Sequence, residues 1–273
     1  MSEGLTLFRM ITASIRITPH FIIIGGQRCG TTSLFNYLAQ HPCIIPATKK
    51  EVHYFDLNYS KNKGWYLAHF PALPYVIFRK LKLGNSCLTF EASPYYLFHP
   101  AVPKRISSAI PNVKLIVLLR DPVDRAYSHY QHEVRIGKEE LSFEDAIERE
   151  IDGLDFDSKR LLNEQDYHSF SHQHYTYLSR GIYVDQLNRW MLYFSKKNML
   201  IMKSEELFEN PNLALSTIFK YLELPDMLPQ NYQRDNYLHY PDMKQTTRKR
   251  LDDYFHLHNQ QLSDLLDFNF EWS

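Results

Sequence analysis

The chain has 273 residues, 44% of them apolar, enough to bury a core in one large α/β domain or two small ones. Lys plus Arg and Asp plus Glu both total 31, so the formal net charge is zero, which excludes a globally basic nucleic-acid binder but not a local basic site. Three cysteines, Cys29, Cys43 and Cys87, make neither an even framework nor a C-x-x-C pair and fit reduced thiols in a cytoplasmic protein, and no apolar run is long enough to cross a bilayer.

Residues 1–19 read as an N-terminal extension that lacks the continuous apolar core of a signal peptide. Phe21-Ile22-Ile23-Ile24-Gly25 predicts a buried strand, followed by a glycine-bracketed loop and a helix over 31–40. Apolar runs at 87–90, 113–119 and 199–202 predict three more strands. Helical spacing predicts helices over 122–135, opened by Asp121-Pro122, over 142–151, capped by Ser142, and over 181–194, 212–222 and 247–266. Strands alternating with helices predict a single α/β domain over 1–273, with a central parallel sheet flanked by helices. Residues 136–179 are charged and rich in histidine. Within them 152–179 reads as a long excursion over the surface, of the kind that serves as a lid or substrate loop.

The chemistry gathers where strands end, which is where open α/β sheets bind ligands. After the first strand, Gly25 and Gly30 stand at the glycine positions of a G-x-x-x-x-G-K-[ST] phosphate loop. Thr31 stands where the lysine would be, and the loop's cation is Arg28. Backbone amides and a helix N-terminus still make a phosphate cradle. A nucleoside-triphosphatase would end the 113–119 strand in a magnesium-binding Asp; here Arg120 comes first. Two arginines suit a dianionic phosphate without a metal. Ser128 lies eight residues after Arg120, so a bend at Pro122 lets both reach one anion. A P-loop kinase or NTPase is the competing reading, set back by the missing lysine. His168, His172 and His174 match no standard zinc spacing, and an exposed lid or acceptor loop suits them better. Trp65, Tyr95 and Tyr96 could stack on a ring, with core packing as the default.

Five blocks in order resemble the sulfotransferases that use 3′-phosphoadenosine 5′-phosphosulfate, and among them the heparan sulfate type and its bacterial relatives. They are Gly25 to Leu34, Lys50-Glu51-Val52-His53-Tyr54-Phe55-Asp56, Leu119-Arg120-Asp121-Pro122 with Arg125 and Ser128, Tyr177 to Tyr183 with Gln186, Leu187 and Trp190, and Arg250-Leu251 to Trp272. The resemblance implies in-line transfer of a sulfuryl group to an acceptor hydroxyl or amine, with no metal required. It implies that Gln27, Arg28, Cys29, Gly30, Thr31, Thr32 and Ser33 hold the 5′-phosphosulfate, that Arg120 and Ser128 hold the 3′-phosphate, and that Arg248 touches the nucleotide. Glu51 is implied as general base. His53, two residues on, would share its side in an extended segment and orient Glu51 or the acceptor. Ala92 stands where some heparan-type enzymes carry a second catalytic lysine, which throws leaving-group stabilisation onto Arg28, Lys49 or Lys50. The implied acceptor is a carbohydrate; a small metabolite or a carrier-bound acyl alcohol is the alternative. A non-catalytic binding module is a further alternative, opposed by the presence of both Arg28 and Glu51. Nothing in the sequence sets the oligomeric state.

Overall fold

Among the residues described by a computed structural model (3–153, 158–232 and 240–272), the strands are β1 (Phe21–Gly25), β2 (Ile44–Pro46), β3 (Leu88–Ala92), β4 (Lys114–Leu119) and β5 (Met199–Lys203). They form one sheet in the order β2-β3-β1-β4-β5, with every pairing parallel. Around it lie α1 (Glu3–Ile11), α2 (Thr31–Ala39), α3 (Lys63–Leu67), α4 (Leu73–Leu83), α5 (Val102–Ala109), α6 (Pro122–Arg135), α7 (Phe143–Ile151), α8 (Ser158–Asn163), α9 (Phe170–His174), α10 (Tyr183–Met191), α11 (Ser204–Glu209), α12 (Pro211–Leu222) and α13 (Gln245–Leu266). No described helix is long and apolar enough to cross a membrane.

The continuous apolar runs follow from burial on both faces. Alternation along β1 sends Ile22 and Ile24 to one side, where they join Leu115, Val117, Tyr183, Leu187 and Trp190. Phe21 and Ile23 go to the other, against Phe90, Ile116, Leu34, Leu38, Ile218 and Phe219. Each fully buried aliphatic of this kind contributes roughly 1.5–3 kcal/mol. A third cluster, with Val123, Phe143, Ile147, Leu251 and Phe255, locks α6, α7 and α13 together.

β1 lies at the centre of the sheet. The chain leaves it for β2 and β3 on one side and returns to β4 and β5 on the other. The crevice at such a switch point opens beyond the carboxyl end of β1, where the glycine loop stands.

Several elements depart from the sequence expectation. β3 runs on to Ala92, so Glu91 is a strand residue. β2 was not foreseen; three residues ending in proline at a sheet edge carry almost no pattern. Helices α1, α3, α4, α5 and α11 were also missed. The extension 1–19 is tied to the domain: Arg9 donates to the carbonyls of Ala68 and Phe70, and Arg16 to that of Phe70 at 2.7 Å.

The surface excursion over 152–179 needs correction, apart from 154–157, which lie outside the described residues. Two short helices interrupt it, and Ser169, His172, His174, Thr176 and Tyr177 are buried. Their polar groups are paired: His174 Nδ1 lies 3.0 Å from Glu133 Oε2, and Tyr177 donates to Glu139 at 2.7 Å. Burial of paired polar groups leaves no apolar periodicity to read.

Candidate active site

The cradle expected to hold a phosphate begins where β1 ends. Gly26 N–H donates to Leu118 O, and Cys29 N–H to Gly26 O at 3.2 Å, so the loop closes on itself before α2 begins. Gly30 caps α2 in the left-handed region at φ 86°. A Cβ there would lie 2.8 Å from the Phe208 ring on α11, so both conformation and space demand glycine. Ser204, also on α11, donates to Cys29 O at 2.8 Å. Helix geometry aims the first amides of α2, from Thr31, Thr32 and Ser33, and the positive end of its dipole back at the loop. Thr31 and Ser33 are buried and Thr32 is partly exposed.

Arg28 sits at φ 69°, which costs a non-glycine residue about 1–3 kcal/mol and is typical of functional loops. Its Nε donates to Ser128 Oγ at 3.2 Å, and Arg120 Nη1 approaches Arg28 O at 3.5 Å. The structure therefore joins Arg28 to Arg120 and Ser128, about a hundred residues away in the sequence. Tyr183 donates to Arg120 O at 2.9 Å and fixes its backbone. Burial pushes the Arg28 pKa down, and the neighbouring cations Arg135 and Arg120 act in the same direction. Arg125 is buried beneath the loop; it donates to Tyr177 O, while its Nε and Nη1 have no hydrogen-bond partner among the described residues. Clustered, partly unpartnered guanidiniums suit a multiply charged anion.

Arg248 stands further out. It pairs with Asp124 in the first turn of α6, one turn beyond Arg120. Gln27 accepts from the buried Arg180, whose other nitrogens hold Thr176 Oγ1 at 2.7 Å and the carbonyls of His172 and Gln173. The Cys29 thiol turns into the core, 3.8 Å from the Tyr183 hydroxyl. Burial raises its pKa to about 11, so it is not a reactive thiolate.

The segment expected to face the acceptor lies at the end of β3. Glu51 N–H donates to Ala92 O at 2.8 Å. The segment is not extended as expected: Glu51 and His53 sit at φ 61° and 54°. Two left-handed residues nevertheless bring the side chains together, with His53 Nε2 3.2 Å from Glu51 Oε2. His53 Nδ1 lies 2.8 Å from the buried Asp56, and Lys50 donates to Glu51 Oε1. Burial acts to raise the Glu51 pKa, but His53 and Lys50 outweigh it and hold the carboxyl down at about 2. Burial likewise acts to lower His53, and Asp56 with Glu51 overcomes it, lifting the imidazole to about 10. At neutral pH the pair is carboxylate and imidazolium. Burial lowers the pKa of His132 on α6, Arg28 acts in the same direction and Glu51 against it, so both sides of the cleft reach it.

Asp56 was in the quoted motif but given no role; its spacing of three from His53 was the available signal. Arg180 likewise lies inside the Tyr177 to Tyr183 block without a role of its own, and nothing local marks Ser204. His172 and His174 are core residues: His172 Nδ1 lies 2.6 Å from the Tyr95 hydroxyl, and its ring stacks on Phe98. Tyr95 and Tyr96 are buried, and Trp65 is half-buried under Lys61. A cavity of about 1090 Å³, lined by Arg16, His20 and Lys114 among others, lies at the opposite end of the sheet, by the amino ends of β1, β3 and β4, and contains none of these groups.

Residues 18–263 match the sulfotransferase domain family. The chain is 28% identical to the bifunctional heparan sulfate N-deacetylase/N-sulfotransferase 1 of Caenorhabditis elegans over 95% of its own length and 31% of that protein's. It is 26% identical to the membrane-associated sulfotransferase kil1 of Dictyostelium discoideum, over 93% of this chain and 66% of that one. It thus spans from about a third to two thirds of these relatives. A sulfotransferase from Alicyclobacillus acidocaldarius superposes with a TM-score of 0.69 at 27% identity, covering 93% of this chain and 98% of that one. With the parallel sheet, the altered phosphate loop and a family match over most of its length, the chain belongs to the sulfotransferase domain family.

Proposed function

We propose that the protein transfers a sulfuryl group from 3′-phosphoadenosine 5′-phosphosulfate to a carbohydrate hydroxyl or amine. The observation that carries this reading is the meeting of Arg28, Ser128 and Arg120 above the cradle, opposite a loop that presents an ionised Glu51. The amides of Gly30 and Thr31 and the hydroxyls of Thr31 and Thr32 hold the 5′-phosphate; Arg120 and Ser128 hold the 3′-phosphate. Arg248 touches the nucleotide once drawn from Asp124. The acceptor's O–H or N–H gives its proton to Glu51 as the new bond to sulfur forms. The bond from sulfur to the bridging oxygen breaks, and adenosine 3′,5′-bisphosphate leaves with the electron pair, its charge met by Arg28.

A carboxylate held at about 2 is a weak base. The anionic donor competes with Glu51 for Lys50, and loss of that partner lets the Glu51 pKa climb when the donor is bound. Ala92 leaves the β3 end without a cation, so Lys50 is also the group nearest the base able to serve the leaving phosphate. His53 orients Glu51 through Asp56. The carbohydrate acceptor is supported by relatives named for heparan sulfate N-sulfation.

The test is twofold. Adenosine 3′,5′-bisphosphate should raise the melting temperature without added metal, and radiolabelled donor should label acceptors in a screen of glycans, phenols and acyl alcohols. No thermal shift with the bisphosphate would sink the donor assignment; labelling confined to phenols or acyl alcohols would sink the carbohydrate one.

A further inference from the structure

We propose that the buried carboxylate of Glu91 is a positioning residue for the acceptor side of the cleft, holding the backbone of residues 53–55 through the hydroxyls of Ser93 and Tyr96. The idea rests on the reading of Glu51 and His53 given above.

Glu91 lies on β3 and is fully buried. Its Oε1 accepts from the Tyr66 hydroxyl at 2.7 Å and its Oε2 from Ser93 Oγ at 2.9 Å, while the Tyr96 hydroxyl stands 3.4 Å from both oxygens. The other sides of two of these hydroxyls face the acceptor loop. His53 N–H donates to Ser93 Oγ at 3.1 Å; Tyr54 N–H and Phe55 N–H donate to the Tyr96 hydroxyl at 2.9 and 3.3 Å. Three consecutive backbone amides therefore end on two hydroxyls, and both hydroxyls turn toward one carboxylate.

The direction of these bonds matters. A hydroxyl has one proton to donate and two lone pairs to accept with. For Ser93 and Tyr96 to accept from the loop amides, their protons must point elsewhere, and Glu91 is the acceptor they meet. Burial lifts the Glu91 pKa to about 7 while the hydroxyls of Tyr66 and Ser93 pull it down, so the carboxylate, complete above neutral pH, can there take all three hydroxyl protons at once; a carboxamide of the same size cannot, because one of its two ends is itself a donor. With a carboxamide at 91, a hydroxyl proton would be driven back toward an amide N–H. The loop would lose part of what holds His53 in its left-handed conformation, and with it the aim of Glu51. None of the hydrogen bonds just described reaches the cradle loop, and Ser93 meets β1 only through its backbone, N–H to Ile23 O at 3.1 Å, so donor binding should not feel the change.

Amide exchange tests this without knowledge of the acceptor. In Glu91→Gln, and separately in Ser93→Ala and Tyr96→Phe, hydrogen exchange at the amides of 53–55 should accelerate roughly tenfold, the loss of about one hydrogen bond. Protection of β1 and β4 and the affinity for adenosine 3′,5′-bisphosphate should stay at wild-type values, and Ser93→Thr, which keeps a hydroxyl, should restore protection. Turnover with de-N-sulfated heparin as acceptor should fall in kcat at unchanged donor KM. Unaltered exchange at 53–55 in Glu91→Gln would overturn the proposal, as would loss of bisphosphate affinity in step with a general loss of protection. Full kcat in Glu91→Gln beside an inactive Glu51→Gln would sink the positioning role alone. Full activity in Glu51→Gln would instead sink the base assignment and leave the exchange result to decide the network.

Discussion

The side of the cleft proposed for the donor is made of backbone and arginines, whereas the side proposed for the acceptor is made of carboxylates and the side chains that hold them. On the first of these sides, glycine geometry and a helix terminus create the cradle, Arg125 beneath it has two nitrogens without a hydrogen-bond partner among the described residues, and Arg28 and Arg120 above it are met by a hydroxyl and a carbonyl, not by a carboxylate. On the acceptor side each charged group already has a partner: Glu51 has Lys50 and His53, and His53 has Asp56. The first arrangement waits for an anion. On the proposed mechanism the second must be loosened before it works, since a carboxylate paired with two cations gains proton affinity only when one leaves.

The difference can be broken by exchanging which step a substitution harms. Glu51→Gln should lower kcat by roughly 10²–10⁴-fold, the usual worth of a general base, at unchanged affinity for adenosine 3′,5′-bisphosphate. Arg120→Ala should weaken bisphosphate binding by about 1.5–3 kcal/mol, the range for a hydrogen bond to a charged group. Calorimetric titration of the bisphosphate beside donor-dependent kinetics separates the two. If Glu51→Gln weakened the bisphosphate as much as Arg120→Ala, the division between the sides would be false.

A second test bears on the cradle's backbone alone. Gly30→Ala places a methyl group against the Phe208 ring in a left-handed conformation. The conformational cost and the overpacking together should destabilise the fold by about 2–4 kcal/mol, read from denaturant unfolding. Phe208→Ala in the same chain should recover the packing share but not the conformational share. A Gly30→Ala protein of wild-type stability would show that α11 does not press on the loop.

The same contrast explains what the sequence disclosed. The cradle was legible because its determinants are contiguous: Gly25, Gly30 and the helix from Thr31 follow one another in the chain. Arg120 was legible from its place at a strand end. The meeting of Arg28 with Ser128 spans a hundred residues and needed the fold. Around Glu51 and His53 the motif named the residues, but the extended conformation expected for them was wrong, because hydroxyls from Ser93 and Tyr96 draw the loop into another shape. Glu91 falls just past the strand expected over 87–90, and its partners Tyr66 and Tyr96 come from a helix and a turn with no shared pattern. The segment from 169 to 179 was misjudged for a related reason. Histidines and a glutamate pair inside the protein, and charge in a sequence normally signals surface.

The smallest expected effect concerns pH, and its sign follows from Glu51. Its carboxyl is held at about 2 in the folded protein against an ordinary 4.5, so the unfolded chain binds the proton more readily. The stabilisation from Lys50 and His53 is therefore complete above pH 4.5 and is lost as pH falls toward 2. Glu51 is 43% exposed, so solvent and salt screen the pair, and the contribution should be only a few tenths of a kcal/mol to about 1 kcal/mol. Glu51→Gln should thus be slightly less stable than wild type at pH 6 in low salt, and the gap should narrow between pH 4.5 and 3 and shrink in high salt. Denaturant midpoints across that range give the answer. A gap that stayed constant down to pH 3 and ignored salt would mean that Glu51 stabilises the loop by packing, and the acceptor side would then lack the tight charge pairing that sets it apart from the cradle.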